Sequence, residues 1–166
     1  MLKVAISSWD AKDVHYIKQV YKDYLEQDDF SALLLKYSHD AELQRGSTWL
    51  LKKHLEEGNS LTSSETAELF SCLDKLEHWE AKLHVLQCLP FLAISVSQKE
   101  SIDVFLRGCL SSDFKFVRAW AYGGLYELAK QHSQYQAEVK TLLEQASVTE
   151  AASVKARVRQ VLKKGF

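Results

Sequence analysis

Proline occurs once in these 166 residues and glycine six times. That leaves little material for a succession of β-hairpins, whose favoured turns draw on glycine, asparagine and proline. Strand-like alternation of apolar and polar residues is scarce too, so the chain reads as all-α. No apolar run approaches the ~20 residues that a membrane-crossing helix needs. Met1–Ser8 is too short and too weakly charged for a signal peptide, and a cytoplasmic protein is the expectation. A charge excess is also missing: 21 basic residues face 22 acidic ones, a net charge of −1. Nucleic-acid binders carry a basic surplus, so this balance argues against DNA or RNA as a partner. Cys72, Cys88 and Cys109 are odd in number, lack a C-x-x-C spacing and lie in apolar helical contexts, which suits buried, reduced thiols. A glycine-rich phosphate loop, a G-x-S-x-G elbow, an H-E-x-x-H pair and zinc-type cysteine spacing are all absent. No enzymatic activity, cofactor or metal is therefore expected. Glu80 and His84 share a helix face at i, i+4, but ordinary helix-face pairing accounts for them and no third ligand is evident.

What the chain does have is 46% hydrophobic residues, enough for a real core, and a repeat. In Asp113–Lys130, Val117, Ala121, Gly124, Leu125 and Leu128 form one apolar stripe of helical spacing, with Asp113 placed to cap it. Anchored on Leu125, the design recurs at Leu55, Leu89 and Leu162, at intervals of 34, 36 and 37 residues. A period in that range belongs to stacked helical hairpins. Ala81, Val117 and Val154 then coincide, as do Val85, Ala121 and Val158. In the preceding helices Leu69, Phe105 and Leu142 align, followed by Phe70, Leu106 and Leu143. A single hairpin would leave these stripes in water, whereas side-by-side stacking buries them.

The helix signals fit this division. Met1–Ser8 receives no helix. Ser8 or Asp10 can cap a helix to about Gln27, Asp28-Asp29 opens another from Phe30, and Gly58 ends the one that follows. Thr62-x-x-Glu65 and Ser97-x-x-Glu100 read as capping boxes, and Pro90 should stop or kink the helix begun at Trp79. The organisation is one domain, 1–166: a capping helix (1–29) and repeats 30–60, 61–96, 97–132 and 133–166. That makes roughly nine helices in about four hairpins. An acid at each repeat (Glu77, Asp113, Glu150) with a base five residues on (Lys82, Arg118, Lys155) suggests a ladder of caps and inter-repeat ion pairs.

The stretch Asp113…Val117-Arg118-x-x-Ala121-x-x-Gly124-Leu125 resembles the second helix of the HEAT-repeat family. The likeness weakens over 30–57, where Ser47 and Thr48 replace Val-Arg. It implies a right-handed α–α superhelix whose second helices line a concave, partner-binding face. Armadillo repeats would need a third short helix per unit, for which the gaps leave no room.

On that face the helix geometry gathers Trp49 and Lys52, then Lys82, Leu83 and Leu86, then Arg118, Tyr122, Gly123 and Tyr126, and finally Arg159. An exposed apolar patch with aromatic members and a basic rim marks a protein interface, so the expected function is a non-catalytic scaffold for a protein or peptide. Gly123 has no packing reason in the sequence, since an interior glycine costs a helix about 1 kcal/mol relative to alanine. The alternative is a nucleic-acid enzyme resembling the HEAT-like alkylpurine DNA glycosylases, for which Trp49, Tyr122 and Asp113 are the available material. A cofactor-attachment helper resembling the HEAT-like bilin lyases has no specific residues in its favour.

Overall fold

In the computed structural model, which describes residues 1–166, the chain is all-helical and has no strand. Ten helices follow in order: α1 (Leu2–Ser7), α2 (Val14–Tyr24), α3 (Phe30–Ser38), α4 (Gln44–Glu56) and α5 (Ser63–Phe70), then α6 (Trp79–Cys88), α7 (Lys99–Leu110), α8 (Lys115–Gln131), α9 (Gln136–Thr149) and α10 (Ala152–Lys164). None is long and apolar enough to cross a membrane. The helices fall into two compact units, Met1–Phe91 and Leu92–Phe166.

Several helix ends follow the sequence closely. At α5 the capping box forms: Glu65 N–H donates to Thr62 Oγ1 (3.1 Å) and Thr62 N–H to Glu65 Oε2 (2.8 Å). Gly58 adopts φ +93 just past α4, the left-handed conformation that suits glycine. Pro90 lies in the tight turn Leu89–Phe91 that ends α6.

Other ends differ from expectation. Met1–Ser8 holds a helix, α1, whose Leu2 and Ile6 are buried. It was invisible because six residues are too few to show a helical period. Asp13, rather than Ser8 or Asp10, caps α2 by accepting from Tyr16 N–H (3.0 Å). Asp10 instead accepts from the N–H groups of Lys12 and Asp13, both at 2.8 Å, and tightens the turn before the helix. Ser97 does not cap α7, because Gln98 folds back to accept from Ser95 N–H (2.9 Å). Asp113 is exposed and caps nothing; Ser112 Oγ takes the Phe114 N–H (3.2 Å) in its place.

In the first unit α4 is central, with α1, α2, α3 and α6 packed against it and α5 packed on α3. The core there includes Leu34, Leu50, Leu51, Leu55, Val85 and Leu89, each at most 1% exposed. At Gly46 a Cβ would come within 2.8 Å of Ile6 Cγ2, so the absence of a side chain lets α1 lie directly on α4. In the second unit α8 is central, with α7, α9 and α10 against it and α9 against α10.

The aligned positions fill the two cores as expected. Ala81, Val117, Val154, Val85, Ala121, Val158 and Leu125 are all fully buried, and Leu55 and Leu89 nearly so. Leu162 departs from its expected burial: it is half-buried, and Val161 turns inward instead. α10 packs against α8 and α9. In the preceding helices Phe70, Leu106 and Leu143 are buried, while Phe105 and Leu142 are half-buried.

Candidate functional site

The ten residues expected on a partner-binding face divide between the units, five in each. In the first, Trp49 is 9% exposed, covered by the edge of Trp9 (centroids 6.2 Å apart, 61° between planes) and by Lys52 Nζ, 5.3 Å from its ring centre. Leu86 is fully enclosed. Lys52, Lys82 and Leu83 are half-buried. In the second, Tyr122, Gly123 and Tyr126 are buried, Arg118 is half-buried and Arg159 is exposed.

The expected open patch of large apolar side chains therefore does not exist: Trp49, Leu86, Tyr122 and Tyr126 lie inside. The reason is that α4 and α8 are each surrounded by neighbours rather than buried along one stripe. Every residue of α8 from Ala121 to Ala129 is buried. A sequence signal was available, because Ala119–Tyr126 carries no charge over two helical turns, the mark of a helix enclosed all round.

What the second unit does present is a cluster of cations on aromatic rings. The Arg157 guanidinium lies 3.7 Å from the centre of the half-buried Trp120 ring. Its Nη2 and Nε stand 3.6 and 3.8 Å from where a Gly123 Cβ would be, ordinary van der Waals contact, so the guanidinium lies against α8 with room for a methyl group at 123. The structure, like the sequence, gives no packing reason for glycine at 123. Arg157 Nε is buried without a hydrogen-bond partner, and burial lowers the guanidinium's pKa, with Glu127 opposing. The stack on Trp120 offsets part of that cost.

Arg118 reaches Glu150, Nε to Oε1 at 3.1 Å and Nη2 to Oε2 at 3.2 Å, and also donates to the Ser112 carbonyl at 2.9 Å. Glu150 in turn accepts from Ala151 N–H (3.1 Å) at the start of α10. One base of the expected ladder thus pairs with the acid of the following repeat. Burial raises the pKa of the Tyr122 phenol, with the charge of Glu150 adding to the shift and Arg118 opposing it. Tyr126 donates its phenol to the Gly165 carbonyl (3.0 Å) and stacks on Phe166 (centroids 5.3 Å, 25°). Lys130 and Lys164 flank the same ring, their Nζ atoms 5.8 and 5.9 Å from its centre. Arg159 makes one long contact to the Ser147 carbonyl (3.4 Å).

In the first unit the buried polar side chains are neutral. His84 Nδ1 lies 3.0 Å from Thr48 Oγ1, and burial drives its pKa down to about 3. Glu80, one helical turn away, faces Arg45 at 3.9 Å, so the i, i+4 pair points to separate partners. All three cysteines are buried free thiols; burial pushes Cys72 up to about 12 and raises Cys88 as well, which keeps both protonated. No family model matches the chain, and no curated protein or solved structure matches it either.

Proposed function

We propose that the chain is a non-catalytic scaffold, a short right-handed solenoid of HEAT-like helical hairpins, that binds a protein or peptide in the cytoplasm. The observation that carries this reading is the aromatic–cation cluster of the second unit: Arg157 on a half-buried Trp120, with Arg118, Arg159 and the lysines around Tyr126 nearby in sequence on α8 and α10. Tryptophan, tyrosine and arginine are the residues that protein interfaces concentrate. The common register of buried positions in successive hairpins supports the repeat reading.

The test is affinity capture from native lysate with the wild-type chain and with Trp120→Ala combined with Arg159→Glu. Loss of a saturable partner from the variant, with its circular dichroism unchanged, is the expected result. Undiminished capture would exclude this face.

The nucleic-acid reading draws on α10, where Lys155, Arg157, Arg159, Lys163 and Lys164 occur without an acid. Against it, Trp49 and Tyr122 are buried, which removes the ring faces on which a base would stack. Polarisation titrations with single- and double-stranded DNA at low salt separate the two, since salt-sensitive micromolar binding would favour nucleic acid.

A further inference from the structure

Beside Tyr126 the second unit forms a pocket of about 340 Å³. Leu143 of α9 and Val161 and Leu162 of α10 give it apolar walls, and Lys140 is the charged residue of its lining. Gly165 and Phe166 complete the rim. Its volume lies at the lower end of the ~300–1,000 Å³ usual for ligand sites, room for one aromatic side chain.

The chain itself shows what chemistry suits the place. Phe166 stacks on Tyr126, and the Gly165 carbonyl accepts from the Tyr126 phenol. Gly165, at φ +62, adopts a backbone conformation open to glycine and turns the chain back at the end of α10. Yet Phe166 remains 50% exposed, held by its stack on Tyr126, while Gly165 accepts from the phenol and donates its N–H to the Leu162 carbonyl (3.2 Å). The charges nearby are mostly positive: Lys140 in the lining, with Lys130 and Lys164 beside the Tyr126 ring. Glu127, the carboxylate on the same helix, is buried and already paired with Lys130 at 3.0 Å.

We infer that this pocket recognises a short peptide segment bearing an aromatic side chain flanked by aspartate or glutamate, and that Gly165–Phe166 is its competing self-ligand. An incoming ring takes the place of Phe166 on Tyr126, the preceding carbonyl takes the phenol's hydrogen bond, and the flanking carboxylates meet the lysines. The inference rests on the scaffold reading and gives its partner a chemistry.

The probe is a fluorescein-labelled peptide, Asp-Glu-Gly-Phe-Asp-Glu, titrated with the full chain by fluorescence polarisation. Companion peptides carry alanine for the phenylalanine or lysine for each acid. The acidic aromatic peptide should bind and both companions should lose affinity. Phe166→Ala should tighten binding about two- to tenfold, the range set by one aromatic pair. Lys140→Glu should weaken it, and added salt should do the same. Both positions are exposed, and circular dichroism checks that the variants stay folded. No binding by wild type and Phe166→Ala, equal binding of the alanine peptide, or indifference to both substitutions would overturn the inference. If the peptide fails while lysate capture still depends on Trp120 and Arg159, the pocket inference falls and the scaffold reading stands. If the peptide binds as expected and capture does not depend on Trp120 and Arg159, the pocket inference stands and the Trp120–Arg159 face is excluded as the scaffold's binding surface.

Discussion

Where hairpin meets hairpin in the first unit, the buried polar groups are neutral. Gln44, fully buried, accepts from the N–H groups of Glu77 (2.7 Å) and His78 (3.0 Å) and donates to the Lys75 carbonyl (3.2 Å). Thr48 meets His84, and within the hairpin of α3 and α4 Ser47 bonds Ser38 at 3.1 Å. In the second unit the corresponding links are ionic: Arg118 with Glu150, and Arg107 with Glu138 at 3.0 Å. Thr48 and Arg118 stand at the same distance before the aligned Leu55 and Leu125, and one reaches the next helix pair by a hydroxyl while the other uses a guanidinium. The difference has a physical basis. An amide or hydroxyl with its hydrogen bonds made can be sealed off completely, whereas a charge costs far more to desolvate. Accordingly Gln44, Ser47 and Thr48 have no exposure, while the Arg118 and Glu150 side chains keep 19% and 15%.

Truncating the fully buried leucines should have the largest effect and should be equal in the two units. Leu50→Ala and Leu125→Ala are each expected to cost about 2–5 kcal/mol in denaturant unfolding. An unchanged midpoint for either would undo the register assigned to that helix.

Acid should separate the units. His84 is held below its ordinary value by burial, and His54 is lowered for the same reason. A histidine with a depressed folded pKa stabilises the fold fully above its unfolded value near 6.5. That contribution is lost as pH falls, because the unfolded chain takes up the proton first. From pH 7 to pH 5 the first unit should lose about 2 kcal/mol through His84, and His84→Gln should flatten the slope. Tryptophan fluorescence follows this, since Trp9, Trp49 and Trp79 all lie in the first unit. A pH-independent midpoint in that range would show that His84 is not buried neutral.

The two kinds of link can be compared directly. Glu150→Ala leaves Arg118 without its carboxylate and should cost roughly 1–2 kcal/mol, between the values of exposed and buried pairs. Thr48→Val should cost a similar amount by stranding the His84 ring nitrogen. Salt distinguishes them: concentrated NaCl should shrink the Glu150 effect and leave that of Thr48 intact. Identical salt responses would mean that the contrast is only formal.

Asp113→Ala should have the smallest effect, within about 0.5 kcal/mol, because an exposed side chain without a cap bond has little to lose. A larger loss on thermal melting would restore its capping role.

The same contrast explains what could be read from the chain. The apolar register was legible, because Val85, Ala121, Val158 and their partners follow one period and burial leaves that imprint on composition. Ser47 and Thr48 looked like decay of the repeat, since nothing in a linear sequence says that a buried hydroxyl has found Ser38 or His84. The face around Trp49, Tyr122 and Tyr126 was misjudged because a helical wheel assigns one inward side. The number of neighbours around α4 and α8 is a property of the packing. Arg157 could not be anticipated, as no local signal ties a residue on α10 to Trp120 and Gly123, more than thirty positions earlier.

The stack on Trp120 also gives the molecule an optical label. Trp120 is the second unit's only indole, and a guanidinium 3.7 Å from its ring centre perturbs the excited-state dipole with a fixed charge. Its emission should differ in colour and lifetime from that of the indoles near the other end of the chain. Any event that lifts Arg157 away, whether a partner's arrival or the loosening of α10, would then register as a spectral shift from a single native residue.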